Sequence, residues 1–319
     1  MKTVSVDRLL QHYVLVDGMP FGEGNAVVCA HFSPAFEAGA AASQVFWFYD
    51  GEWHVGPMLG QEAVSLALDP GESRAWVLGR EGQWAAVTPQ GIERQGSLVS
   101  LSIGPFRRIR LLGATPVLLG ESRTIFAIID WVGVRLNDDA PSVPPADDEM
   151  ELVEAIIEDG ALLFDIDGIG TGRNEHVAVG SDGLLVTLAG RSLETLPSLT
   201  NLPLYAIHHG EPGGDYIVGG HDGMLLRGKD DIWEEWPMVE GALDLSSVAS
   251  FAGRVWACDG QSVFVGPPGQ RLQNADFGVG SPVPAHALRT DGFHLLSIAG
   301  KELFLSRDGT TWQDLLPRR

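Results

Sequence analysis

The sequence predicts an all-β fold, seven four-stranded antiparallel sheets closed into a β-propeller, and three observations lead to it. Glycine fills 40 of 319 positions, well above a usual share of about 7%, which calls for many tight turns. The apolar runs are short and bounded by turn residues, as strands are. A hairpin pattern also recurs roughly every forty residues, a period at which repeated β units build one continuous core. Hydrophobic residues at 45% and charged residues at 20% exclude wholesale disorder. No apolar run approaches the roughly 18 residues of a membrane span, so no membrane partner is expected.

The clearest repeat sets Val177–Leu185 against Tyr216–Leu226. In each copy an alternating apolar strand meets Asp182-Gly183 or Asp222-Gly223, whose glycine supplies the positive φ of a two-residue hairpin, and a second strand follows. Weaker copies lie at Val255–Gly260 and Leu295–Leu305. A further short strand after each hairpin carries a bulky anchor, Trp53, Leu193, Trp233 or Trp312, and another apolar strand precedes it, as at Leu204–Ile207 and Ser247–Phe251. Four strands per unit divide residues 1–319, read as one domain, at about 3–60, 61–97, 98–139, 150–198, 199–240, 241–277 and 278–319. Each such sheet has two apolar faces that only its neighbours can cover, so the units are expected to close into a ring. The first and third are irregular, which leaves six or eight blades open. Within the first, Ser33-Pro34 reads as an N-cap and first helical position of a short inserted helix.

One stretch breaks the rhythm. Asn137–Glu149 combines three prolines with five acidic residues and reads as an acidic, Pro-rich loop, 137–149. Met150–Glu158 beyond it fits a turn or two of helix as well as a strand. Arg107, Arg108 and Arg110 alternate with Ile109 as on a strand with a solvated face. Cys29 and Cys258, far apart and in apolar strands, read as buried thiols rather than a disulfide or metal pair. Polar residues Asp7, Arg8, Gln11 and His12 interrupt the segment where a signal peptide would need an apolar core, so the expected location is cytoplasmic.

The last hairpin, Ser306-Arg307-Asp308-Gly309-Thr310-Thr311-Trp312, resembles the Asp-box of sialidase-type (BNR) repeats and of photosystem-II-stability-factor-like propellers, the YCF48-like and WD40-like superfamily. The resemblance covers roughly residues 150–319 and implies a folding role for the motif. The Asp would bond backbone N–H groups ahead of it, and the Trp would pack between sheets.

No catalytic, cofactor or metal residues emerge. A sialidase-like hydrolase would need an arginine cluster, an acid and an activated tyrosine, and only Tyr13, Tyr49, Tyr205 and Tyr216 are present, without an arginine motif before the repeats. A Gly-x-Ser-x-Gly elbow does not occur. Asp165-Ile166-Asp167-Gly168 begins like a calcium loop but has Ile169 at the next ligand position, and reads as an Asp-stabilised turn. His208 and His209, adjacent on a strand, should point to opposite faces, one buried and one exposed.

The charge of −21 disfavours nucleic acid and favours a basic protein partner. The candidate partner-binding residues are Glu23, Asp138, Asp139, Asp147, Asp148, Glu149, Asp230, Asp231, Glu234, Glu235 and Trp236. Trp233 sits at the core-anchor phase, whereas Trp236 is the surface aromatic. Solubility is the plainer reading of the same carboxylates. A non-enzymatic acidic propeller of this kind resembles a bacterial immunity protein that neutralises a basic toxin such as a nuclease. A sialidase-like glycan hydrolase and an assembly or scaffold factor are the alternatives.

Overall fold

The computed structural model describes residues 2–69, 71, 73–98, 104–120, 122–138, 162–168, 176–210, 214–229, 232–280 and 282–317. Most of the acidic Pro-rich loop, and all of Met150–Glu158, lie outside the described residues. Seven antiparallel sheets form seven blades. Their innermost strands are Tyr13–Phe21, Ala63–Asp69, Phe106–Leu112, Leu163–Gly168, Leu204–His209, Ser247–Phe251 and Ala287–Thr290. Each of these packs against the next in an unbroken circle. Blades 2 to 7 have four strands; blade 1 has a fifth, because Lys2–Val4 pairs with Glu52–Leu59 on its outer edge.

The pleat explains why the ring is obligatory. Alternate side chains of a strand leave opposite faces of its sheet, so Val27 and Cys29 pack against blade 2 while Ala26, Val28 and Ala30 pack against blade 7. The buried apolar side chains thus sort into seven cores, each shared by two neighbouring blades. The anchors Trp53, Leu193 and Trp233 are buried in these cores, Trp312 is half-buried, and Cys29 and Cys258 are buried free thiols. Burial pushes the Cys258 thiol up to about 12 and raises Cys29 as well.

The ring closes between blades 7 and 1 by packing and scattered hydrogen bonds rather than by a shared strand. A helix, Val6–His12, capped by the Ser5 hydroxyl accepting from Arg8 N, drops Leu9 into this seam. Lys301 Nζ donates to the carbonyls of Leu10 and Tyr13. Leu15 N donates to Gly300 O at 2.9 Å, and Trp53 Nε1 to Leu315 O at 2.9 Å.

Local turns follow the sequence with two adjustments. Asp182 and Gly183 both take positive φ (53° and 70°), and Leu184 N donates to Ser181 O at 2.9 Å, as a type I′ turn requires. Ser181 N, however, donates to Leu162 O, so the strands part at Gly180 and the hairpin is wider than two residues. A Cβ on Gly183 would lie 1.9 Å from Thr200 O, which makes glycine mandatory there. The inserted helix is Ser33–Glu37, and its cap is Phe32, whose backbone is still extended, so Ser33 stands one residue inside instead of capping.

The Asp-box forms as its resemblance implies. Asp308 Oδ1 accepts from Thr310 N and Thr311 N at 2.7 Å each, and Ser306 Oγ accepts from Gly309 N at 2.9 Å. These N–H groups hold the Asp308 carboxyl below its ordinary range. Trp312 stacks on Phe277, ring centroids 4.1 Å apart.

Candidate functional site

Innermost strands of a propeller have one unpaired edge each, and those edges face the axis. A bare edge leaves N–H groups unsatisfied in a confined space. Here polar side chains of one blade cap the edge of the next. Asp17 Oδ2 accepts from Leu66 N and Ser65 Oγ at 3.0 Å; Asp167 Oδ2 accepts from His209 N at 3.0 Å; Ser247 Oγ accepts from Leu288 N at 3.1 Å. Asp165 Oδ2 lies 3.4 Å from Ile207 N in the same relation.

The two most buried of these carboxylates are neutralised by arginines of the neighbouring blade. Arg289 of blade 7 grips Asp17 of blade 1, Nε to Oδ1 at 2.9 Å and Nη2 to Oδ2 at 3.3 Å, with side-chain exposures of 3% and 1%. Arg289 Nη1 also donates to Leu288 O and Ser247 Oγ. Asp165 of blade 4 takes Arg110 Nη2 at 2.9 and 3.1 Å and has Arg108 Nε 3.1 Å away. The arginine strand is therefore not a solvated one, as its alternation suggested: Arg108 and Arg110 turn into the axis, and only Arg107 is exposed. Likewise Asp165 and Asp167 belong to an innermost strand, not to a turn.

Burial alone would raise the Asp17 carboxyl, but the charges of Arg289 and Arg108 and the Leu66 N–H outweigh it and bring it down to about 2. Burial likewise opposes ionisation of Asp165, and Arg108 and Arg110 overcome it and lower its pKa. Burial brings Arg108 down to about 10 against the pull of Asp165. Burial lowers the imidazoles of His208 and His286. Carboxylates that stay ionised, with their oxygens already taken by fixed donors, act as struts; a general acid needs a proton to give at working pH.

A shared irregularity shapes one mouth of the channel. In blades 1 to 5 the innermost strand slips register at its start, leaving Val16, Val64, Arg107, Phe164 and Tyr205 unpaired. Ser246 and His286 occupy the same position in blades 6 and 7, each giving its N–H to the carbonyl opposite the next residue. Such bulges re-aim side chains, and here they crown the axis with a depression of about 480 Å³ lined by Val64, Arg107, Phe164, Tyr205, Asp244 and Ser246, among others. Phe164 and Tyr205 stack at 5.4 Å, and the Arg107 guanidinium lies 5.6 Å from the Phe164 ring centre. Beside it His221 Nδ1 meets Asp244 Oδ1 at 2.7 Å. His221, Asp222 and Asp244 are the one grouping of three metal-ligating side chains among the described residues, and that contact already engages two of the ligand atoms.

The opposite mouth is smaller, about 180 Å³, and both His208 and His209 line it. Both rings are half-buried, which corrects the expectation of one buried and one exposed. The strand ends at the rim, where His209 turns its Nδ1 to Gly210 O at 2.8 Å and His208 faces Asp167 at 3.6 Å.

Of the residues expected to bind a partner, Glu23 is exposed in a blade 1 hairpin. Asp138 is exposed but paired with Arg191 of blade 4 at 2.5 Å. Asp139, Asp147, Asp148, Glu149, Asp230 and Asp231 lie outside the described residues. Only Glu234 and Trp236 come together: Glu234 Oε1 accepts from Trp236 Nε1 at 3.1 Å and from Arg227 Nη1 at 2.8 Å, in a cleft of about 510 Å³ between blades 5 and 6. Glu235 alternates away from it, exposed. Trp236 is half-buried and Trp233 buried, as their phases indicate. Of the axial set, Arg108, Arg110 and Asp165 stand in the sequence with other readings, and Asp17 and Arg289 are not among its candidates. The signal for the set was alignment of Leu15-Val16-Asp17, Leu163-Phe164-Asp165 and Leu204-Tyr205-Ala206 at one phase of the repeat.

No family model matches the chain. It is 31% identical over 287 residues to the immune protein Tsi7 of Pseudomonas aeruginosa, spanning 86% of this chain and 88% of that one. Among solved structures it superposes on the WD40 propeller domain of Doa1 with a TM-score of 0.67 at 12% identity, covering 93% and 94% of the two chains. YCF48 bound to a D1 peptide gives 0.60 at 15% identity, covering 93% and 92%. Virginiamycin B lyase from Staphylococcus aureus gives 0.60 at 8% identity, covering 79% and 83%. These structures share the fold, and since an enzyme stands among them, the fold alone does not decide between binding and catalysis.

Proposed function

The chain belongs to the family of the immune protein Tsi7, and from that premise we propose that it is an immunity protein, which binds a protein toxin and neutralises it without chemistry of its own. The observation that carries this reading is the 31% identity spread over nearly the whole of both chains. A match of that extent spans the ring rather than one blade. The axial carboxylates support it too, because their oxygens are taken by neighbouring blades and by arginines. The toxin is basic, of the character of a nuclease: at −21 the mean field of the chain attracts cations and hastens their encounter.

Expression of the reading frames that neighbour this gene, singly and together with this chain, in a heterologous bacterium tests the proposal. One of them should arrest growth, and this chain should restore it. The purified pair should associate with an affinity that falls as salt rises. A neighbouring toxin that kills equally with and without the chain contradicts the proposal.

A further inference from the structure

Two faces of the ring could meet the toxin, and they differ in what they leave unused. On the face holding the smaller mouth, the cleft between blades 5 and 6 has its charges already matched: Arg227 lies 2.6 Å from Asp215 and 2.8 Å from Glu234, and Glu234 also holds Trp236. The face holding the larger mouth is different. There the connection 237–246 wraps the Gly220–Gly223 turn, with Gly223 N donating to Leu243 O and Leu245 N to Gly220 O. His221 N donates to Pro203 O, and residues 198–200 close over Gly183. Leu243 N donates to Asp259 Oδ2, which extends the same surface to blade 6.

These contacts tie the loops of blades 4 to 6 into one continuous platform beside the mouth. It exposes Leu199 (45%), Leu202 (36%), Met238 (51%) and Leu243 (51%). Around them stand the carboxylates of Asp182, Asp222, Asp244 and Asp259, which have no lysine or arginine in ion-pair contact among the described residues. At the inner edge the Phe164–Tyr205 stack forms one wall of the depression, which Asp244 also lines. An aromatic-walled hollow beside exposed aliphatic side chains, with carboxylates around it whose one ion-pair partner among the described residues is His221, is the anatomy of an interface hot spot.

We infer that the toxin docks on this platform, its basic side chains meeting Asp182, Asp222, Asp244 and Asp259 and one apolar or aromatic side chain entering the mouth against the wall formed by the Phe164–Tyr205 stack. The inference rests on the proposed immunity function and adds to it the face and the anchor. Charge complementarity selects a basic protein as the occupant. Arg107, whose guanidinium lies 5.6 Å from the Phe164 ring centre at the edge of the hollow, then fixes orientation by repelling a cation placed there.

The test is titration calorimetry with the purified toxin identified by growth rescue, using Tyr205→Ala, Leu243→Asp, Asp222→Lys and, in the cleft on the other face, Asp215→Ala. Circular dichroism melts confirm folding, and Leu243→Asp and Asp222→Lys sit on exposed loops, so they keep the test valid if Tyr205→Ala fails to fold. Each platform variant should weaken binding by about 30-fold or more, the scale of a hot-spot loss. Each should also cost more than Asp215→Ala on the opposite face. Asp222→Lys should in addition slow association and flatten its salt dependence. A rank order in which Asp215→Ala costs as much as the platform variants, or more, overturns the choice of face and leaves the immunity reading standing. Failure of the wild-type chain to bind the toxin at all defeats the immunity reading itself.

Discussion

Replacing Asp17 with alanine should open the seam of the ring. The Asp17–Arg289 pair joins the first blade to the last, both side chains are almost fully buried, and their closest contact is 2.9 Å. At an effective dielectric of about 20, two unit charges at that distance attract by about 6 kcal/mol, much of which offsets their desolvation. Deleting one partner leaves the other charged and unpaired, at a cost of about 3 to 5 kcal/mol. Asp17→Ala also strips the acceptor from Leu66 N and Ser65 Oγ, so it belongs at the upper end of that range. Arg289→Ala removes the charge without uncovering a neighbouring edge and should cost about 3 kcal/mol. The double variant should lose less than the sum of the singles by about 2 kcal/mol, because the second deletion removes a charge already stranded. Urea unfolding at pH 7 with an unchanged m-value measures all three. The half-exposed pair Arg74–Glu93 at 2.7 Å serves as comparison and should cost no more than about 1 kcal/mol when broken. Additive singles, or an Asp17→Ala loss no larger than that of the surface pair, would refute the strut role.

Acid should expose the same network. Because Asp17 sits at about 2 in the fold and Asp165 is also lowered, their contribution is present above the ordinary carboxylate range near 4 and lost as pH falls toward about 2. Asp17 alone supplies about 2 kcal/mol, so a stability curve flat from pH 5 to pH 2.5 would contradict this. In the Asp-box, Gly309→Ala meets a φ of 70° and a Cβ 2.8 Å from Trp256, and should cost about 1 to 3 kcal/mol in thermal or urea melts. Cys29 and Cys258, buried with raised thiol pKa values, should resist a thiol reagent in the native protein and react at once in denaturant. Rapid native labelling would show that the inter-blade cores are not closed.

Much of the ring could be read in the chain. The forty-residue rhythm pointed to seven blades, with six or eight still open, because every blade needs the same strand–turn–strand chemistry; the anchors Trp53, Leu193 and Trp233 follow from that repetition, and the Asp-box from its family resemblance. The axial polar network could not be read in the same way. Asp17 and Arg289 are 272 residues apart, and alternation shows only that a side chain leaves one sheet face or the other, not that the face borders the axis. The register slips at Val16, Arg107 and Phe164 shift the phase further, so Arg108 and Arg110 looked solvated. Charge density, the signal available for partner-binding residues, marks loops of any orientation. The platform by the larger mouth is recognisable only when the turn at Gly220–Gly223 and the connection 237–246 are seen to touch.

Stoichiometric titration of the toxin's activity with the purified chain tests the account most directly. A neutralising binder should bring activity to zero at one equivalent, and dissociation in high salt should return intact, active toxin. Loss of toxin activity at a small fraction of an equivalent, or a toxin recovered chemically altered, would mean that the chain acts as an enzyme and would contradict the account.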